Sequence, residues 1–169
     1  VKLGSAVKAS PVNNRKTAYI GTEDGFFTAV DLQKANLKWR FQTGDSIESS
    51  AVLTPENVLF GSSDGSLYAL NRADGTLNWK YETGGKVLAA LNTVEIDGKI
   101  CVLAGSYDNY LYCLDAQSGS VVWKYQAESY INGGPAAAEG VVVVSSCDAK
   151  VHILQAKSGT LLRKIDSGS

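Results

Sequence analysis

Four segments of this chain repeat in one phase. "GTEDGFFTAVDLQKANLKW" (21–39) aligns with "GSSDGSLYALNRADGTLNW" (61–79), with "GSYDNYLYCLDAQSGSVVW" (105–123) and with "SSCDAKVHILQAKSGTLLR" (145–163). One column holds Asp24, Asp64, Asp108 and Asp148; another, 15 residues on, holds Trp39, Trp79, Trp123 and then Arg163. Successive units are spaced by 40, 44 and 40 residues in both columns. A period of this size marks a stack of identical supersecondary units, each burying its apolar face on the next. A chain so built folds as an array.

Each unit reads as four short strands separated by turn signals. In the second unit the expected strands are roughly 46–53, 57–62, 66–71 and 77–83, with turns at Pro55-Glu56-Asn57, at Asp64-Gly65 and from Asn71 to Gly75. No segment carries an apolar period of 3.6, so helix should be scarce. The second strand is apolar on both faces: Val58, Leu59 and Phe60; Val102, Leu103 and Ala104; Val142, Val143 and Val144. A strand of that kind needs cover on both sides. Sheets stacked radially provide it, and four strands in 40–45 residues is the pattern of a propeller blade. The expected fold is all-β: a β-propeller of four-stranded antiparallel blades, four in this chain, at about 6–45, 46–85, 86–129 and 130–169.

Composition narrows the partners. Lys and Arg total 16 against 17 Asp and Glu, so no basic field exists to attract nucleic acid. The longest apolar runs, such as "VVVV" at 141–144, fall far short of the ~20 residues of a membrane-spanning helix. No charged leader precedes an apolar stretch, so no signal peptide is expected within the sequence. The three cysteines are Cys101, Cys113 and Cys147, with one histidine and no C-x-x-C. A zinc site would lack ligands. Cys101 and Cys113 stand on consecutive strands, where a disulfide is the minority expectation because cross-strand geometry is demanding.

WD40 repeats have this length, but their Gly-His and Trp-Asp pairs are missing, and kelch repeats are longer. The units resemble the PQQ-type, or quinoprotein-like, repeat almost end to end. Its motif is a small residue, Asp or Asn two on, Gly, then Trp four after the Gly. Here these are Ala69, Asn71, Gly75 and Trp79, and Cys113, Asp115, Gly119 and Trp123. The first unit keeps Ala29, Asp31 and Trp39 with Ala35 for the Gly; the fourth keeps Gly159 with Ile153, Gln155 and Arg163. The resemblance implies that Trp39, Trp79 and Trp123 pack between adjacent blades. Arg163 predicts a weaker or solvent-facing contact beyond the fourth blade. Rings of this family usually close with eight blades, so the chain is expected to be half a ring: part of a longer propeller, one of two copies, or, against family geometry, four blades closing alone. Both end blades should then present apolar faces.

Several motifs have structural readings. Gly61-Ser62-Ser63-Asp64-Gly65 fits the G-x-S-x-G of a hydrolase nucleophile, which requires strand, sharp turn and helix. A strand follows here, and Glu23 replaces Ser63 in the first unit. Asp64-Gly65 is expected to be a hairpin turn. His152 shares a column with Thr28, Tyr68 and Tyr112 and is expected to pack. The aspartates form no D-x-D-x-D-G calcium loop. Quinoprotein dehydrogenases hold their quinone with calcium and often an adjacent Cys-Cys pair, absent here, so no cofactor is expected.

One column varies. After each blade-to-blade crossing come Val7-Lys8, Ile47-Glu48, Val87-Leu88 and Ile131-Asn132. Lys8, Glu48 and Asn132, with Tyr130 nearby, are candidate interaction residues at the channel mouth. The leading expectation is a non-catalytic scaffold for a protein or small ligand, extracytoplasmic by family resemblance, with self-association or further blades completing the ring. A segment of a PQQ-dependent dehydrogenase and a sensor domain are the alternatives.

Overall fold

The computed structural model describes residues 1–168; Ser169, the end of the expected fourth unit, lies outside the described residues. The described residues form sixteen strands and no helix, in four antiparallel sheets taken in chain order. The first sheet comprises β1 (Val12–Asn13), β2 (Thr17–Gly21), β3 (Phe26–Asp31) and β4 (Asn36–Gln42). The second comprises β5 (Val52–Leu53), β6 (Asn57–Gly61), β7 (Ser66–Asn71) and β8 (Leu77–Glu82). The third comprises β9 (Asn92–Ile96), β10 (Lys99–Gly105), β11 (Tyr110–Asp115) and β12 (Val121–Gln126). The fourth comprises β13 (Ala136–Ala138), β14 (Val141–Ser146), β15 (Lys150–Gln155) and β16 (Leu161–Asp166). The expected propeller of four-stranded antiparallel blades is the architecture observed.

The doubly apolar strands are doubly covered. Every residue of β6 is buried, and all of β7 but Asn71. Three buried clusters lie between successive sheets. Tyr19, Phe27 and Ala29 meet Val58, Phe60 and Leu70; Leu59, Leu67 and Ala69 meet Val102, Ala104 and Leu114; Leu103, Leu111 and Cys113 meet Val142, Val144 and Leu154. Outer strands alternate instead, because one face looks to solvent, and β16 is exposed throughout. Each third-to-fourth strand pairing slips at one column, between Ala29/Val30, Ala69/Leu70, Cys113/Leu114 and Ile153/Leu154. This recurrent bulge sits directly after the pairs Ala29–Trp39, Ala69–Trp79 and Cys113–Trp123 and locally sharpens the twist that carries the indoles.

The innermost strands differ from expectation. The strand expected over 46–53 is confined to Val52–Leu53. Residues before it bond elsewhere: Ile47 N–H donates to Thr22 O (3.1 Å) of the preceding hairpin. Lys8, Glu48 and Asn132 therefore stand ahead of the innermost strands, on the crossings themselves.

Candidate functional site

The second and third strands of each sheet turn at one end of the molecule, and every sheet-to-sheet crossing passes over that same end. Ile47, Val87 and Ile131 pin the crossings down. Their backbone N–H groups donate to Thr22, Ser62 and Ser106 carbonyls at 3.1, 3.1 and 3.0 Å. Their side chains lie where glycines leave room: a Cβ on Gly61 would stand 2.3 Å from Val87 Cγ1.

The hairpin aspartates hold the same end from the other side. Asp64 Oδ1 accepts the Ser66 N–H (3.0 Å), while Oδ2 accepts the Gly44 N–H of the incoming crossing (2.9 Å) and the Tyr68 hydroxyl (2.5 Å). Asp108 repeats this with Tyr110, Gly84 and Tyr112. Burial works to raise the Asp64 pKa, but these donors outweigh it and hold the carboxyl below its usual range. Burial, joined by the Asp64 charge, pushes the Tyr68 phenol up. In the fourth sheet histidine replaces the tyrosine. His152 Nε2 lies 3.0 Å from Asp148 Oδ2 and Nδ1 lies 2.9 Å from the Tyr125 hydroxyl. His152 is fully buried, and both its ring nitrogens are engaged by these neighbours.

The expected interaction residues are gathered in two parts. Lys8 Nζ lies 2.6 Å from Glu23 Oε1 and 3.6 Å from Glu48 Oε1, and its pKa is raised first by the Glu23 hydrogen bond. Tyr130 is 40% exposed and leans on the half-buried Tyr107 ring, centroids 4.7 Å apart and planes tilted by 33°; Asn132 is exposed on the same crossing. The crossing end thus carries the Lys8 ion pairs on the first two sheets and the Tyr107–Tyr130 contact on the last two, where Glu128 also pairs with Lys150 and Lys164. Glu23 and Tyr107 were not among the sequence candidates, because each occupies the variable position just before a hairpin aspartate.

The indoles reach from sheet to sheet. Trp39, Trp79 and Trp123 donate Nε1–H to the carbonyls of Arg72, Ala116 and Ala156 at 3.1, 3.2 and 2.8 Å. Each ring covers the glycine of the next sheet: a Cβ on Gly75 would lie 2.6 Å from Trp39 Cδ2, and Gly75 has φ +77°. Arg163 is exposed and has no hydrogen bond or ion pair among the described residues.

Gly61–Gly65 joins β6 to β7 as a hairpin, with the Ser62 hydroxyl donating to the Asp45 and Ser46 carbonyls (both 3.2 Å). The three cysteines are free, Cys101 and Cys113 buried and Cys147 exposed. Cys101 opposes Asp115 while Cys113 opposes Leu103, so the two thiols stand diagonally on neighbouring strands as free cysteines. A quinone held with calcium and a cysteine pair does not fit this donor set: among the described residues no three His, Cys, Asp or Glu side chains are grouped to hold a metal. At the opposite end, two clefts open between sheets, of about 530 Å³ beside Thr54, Lys99 and Gln117 and about 400 Å³ beside Lys38 and Arg72. No helix among the described residues is long and apolar enough to cross a membrane.

A family profile described as outer membrane protein assembly factor BamB matches residues 1–164. The chain belongs to this family. Solved structures agree on the fold. BamB from Moraxella catarrhalis superposes with a TM-score of 0.83 at 19% identity, over 97% of this chain and 54% of that one. The computationally designed Ika8 protein gives 0.82 at 17% identity, over 94% and 48%. The computationally designed Ika4 protein gives 0.79 at 16% identity, over 91% and 93%. This member of the BamB family spans about half the length of the Moraxella BamB and Ika8 chains. No curated protein sequence matches it.

Proposed function

We propose that this chain is a non-catalytic propeller scaffold whose crossing end binds a protein engaged in outer membrane protein assembly. Its blades are the units at about 6–45, 46–85, 86–129 and 130–169, tied by Trp39, Trp79 and Trp123. The carrying observation is the exposed Tyr130 ring leaning on half-buried Tyr107, beside exposed Asn132. Tyrosines presented on a rigid frame bury large area at small entropic cost and dominate many interfaces. Lys8, Glu23 and Glu48 supply a polar rim on the other half. Membership of an outer membrane protein assembly factor family favours an extracytoplasmic setting and a protein partner.

The test is co-purification of the tagged chain with outer membrane assembly proteins from a bacterial envelope. A Tyr107→Ser/Tyr130→Ser variant should lose about 90% of the captured partner, an affinity loss of about tenfold. Capture unchanged by the double variant, with normal folding, would contradict the reading.

A further inference from the structure

The first and fourth sheets each leave one face uncovered, and both faces are apolar. On the fourth sheet Val143, Val151 and Ile153 are half-buried, although their columns hold fully covered residues elsewhere (Leu59, Leu67 and Ala69; Leu103, Leu111 and Cys113). On the first sheet Ala18, Ile20 and Val30 are likewise half-buried, against Val58, Phe60 and Leu70 in the second. Faces of this kind are interaction surfaces.

The two faces depart from the internal pattern in matching ways. Three carbonyls in one column receive an indole N–H: those of Arg72, Ala116 and Ala156. The fourth, Leu32 O, accepts no hydrogen bond among the described residues. Beside it stands Ala35 in place of Gly75, Gly119 and Gly159, at φ +51°. An indole in the internal pose would collide with that Cβ, since even a Cβ built on Gly159 comes within 2.6 Å of the Trp123 ring. The fourth sheet carries no indole in that slot. It carries Arg163, a narrower side chain with donors in a planar fork and no partner of its own.

We infer that the fourth sheet of one chain docks on the first sheet of a second copy, Arg163 donating to Leu32 O across the joint. Two such contacts, related by a two-fold axis, join two half rings into one closed ring. The lengths agree: four sheets account for 93% of one solved chain of this fold and 48% of another. The assembly concerns the sheet faces, so it stands or falls apart from partner binding at the crossing end.

Sedimentation equilibrium should give twice the 17.9 kDa chain mass. Arg163→Glu should raise the dimer dissociation constant about tenfold or more, while leaving the monomer folded by circular dichroism. Arg163→Trp alone should also dissociate the dimer, by collision with Ala35. Arg163→Trp/Ala35→Gly recreates the internal slot and should restore it. A second measurement places the faces. Val151 and Ile20 occupy the columns of Phe27 and Phe60, whose rings stack at 3.9 Å. In a Cys147→Ser background, Val151→Cys/Ile20→Cys should oxidise to a covalent dimer and stop there. A monomer at all concentrations, a cross-linked ladder, or a dimer indifferent to both Arg163 variants would overturn the proposal.

Discussion

Trp123 on the third sheet donates its indole N–H to the carbonyl oxygen of Ala156 on the fourth, 2.8 Å away, and its ring covers Gly159. The contact is made by residues 33 apart in sequence and is repeated by Trp39 with Arg72 and Trp79 with Ala116. Each sheet is thereby fixed to its successor by one large side chain at its outer edge.

Removing that side chain should loosen the stack. Trp123 is 7% exposed, so Trp123→Ala empties a buried volume and leaves the Ala156 carbonyl unpaired. The expected cost is about 3–5 kcal/mol, read as a lowered urea midpoint. Trp123→Phe should lie between it and the wild type, since it keeps part of the packing and loses the donor.

The glycines under the rings are required twice, by space and by backbone. Gly119 has φ +74°, and a Cβ there would stand 2.7 Å from Trp79 Cδ2. Gly119→Ala should destabilise by about 1–3 kcal/mol. Ala35→Gly is the opposite case: φ is +51° and no ring lies over it, so glycine relieves strain. Thermal melts of the Ala35→Gly chain should show a midpoint equal to or above that of the wild type.

Acid should unfasten the crossing end. Asp64 titrates below its usual range because the Tyr68, Gly44 and Ser66 donors outweigh burial, and Asp148 is lowered likewise despite burial, chiefly through His152. A depressed folded pKa contributes stability that is full above the unfolded value, about 3.9, and is lost as pH falls through the lower folded value. Urea midpoints should hold level from pH 7 to about 5 and drop below about 4. Tyr68→Phe removes one donor to Asp64 and should shrink that acid-labile part.

Thiol reactivity should separate the cysteines. Cys101 and Cys113 are buried, and burial pushes both thiols up, away from the reactive thiolate. Cys147 is exposed. Titration with an aromatic disulfide reagent at neutral pH should count one thiol in the folded chain and all three after denaturation. Two reactive thiols in the folded state would show that the third sheet opens.

The repeat made the sheets legible, because one residue per column had to satisfy the same packing four times. Columns broken by Arg163 and Ala35 were visible as departures, but their relation was not, since it depends on which carbonyl each slot faces. The apolar pattern makes the innermost strands look longer than they are. Ile47 has the β-branched character of a strand residue, yet Thr22 of the neighbouring hairpin takes its N–H. The Tyr107–Tyr130 contact and the two inter-sheet clefts join residues from different units, which no single-unit pattern can bring together.

A photo-reactive amino acid placed at a single position most directly tests where this scaffold works. With the probe at Tyr130, on the crossing end, irradiation in a bacterial envelope should yield a discrete adduct with an outer membrane assembly protein. With the probe at Gln117, beside the cleft at the opposite end, it should yield none. Adducts from Gln117 and silence from Tyr130 would contradict the account.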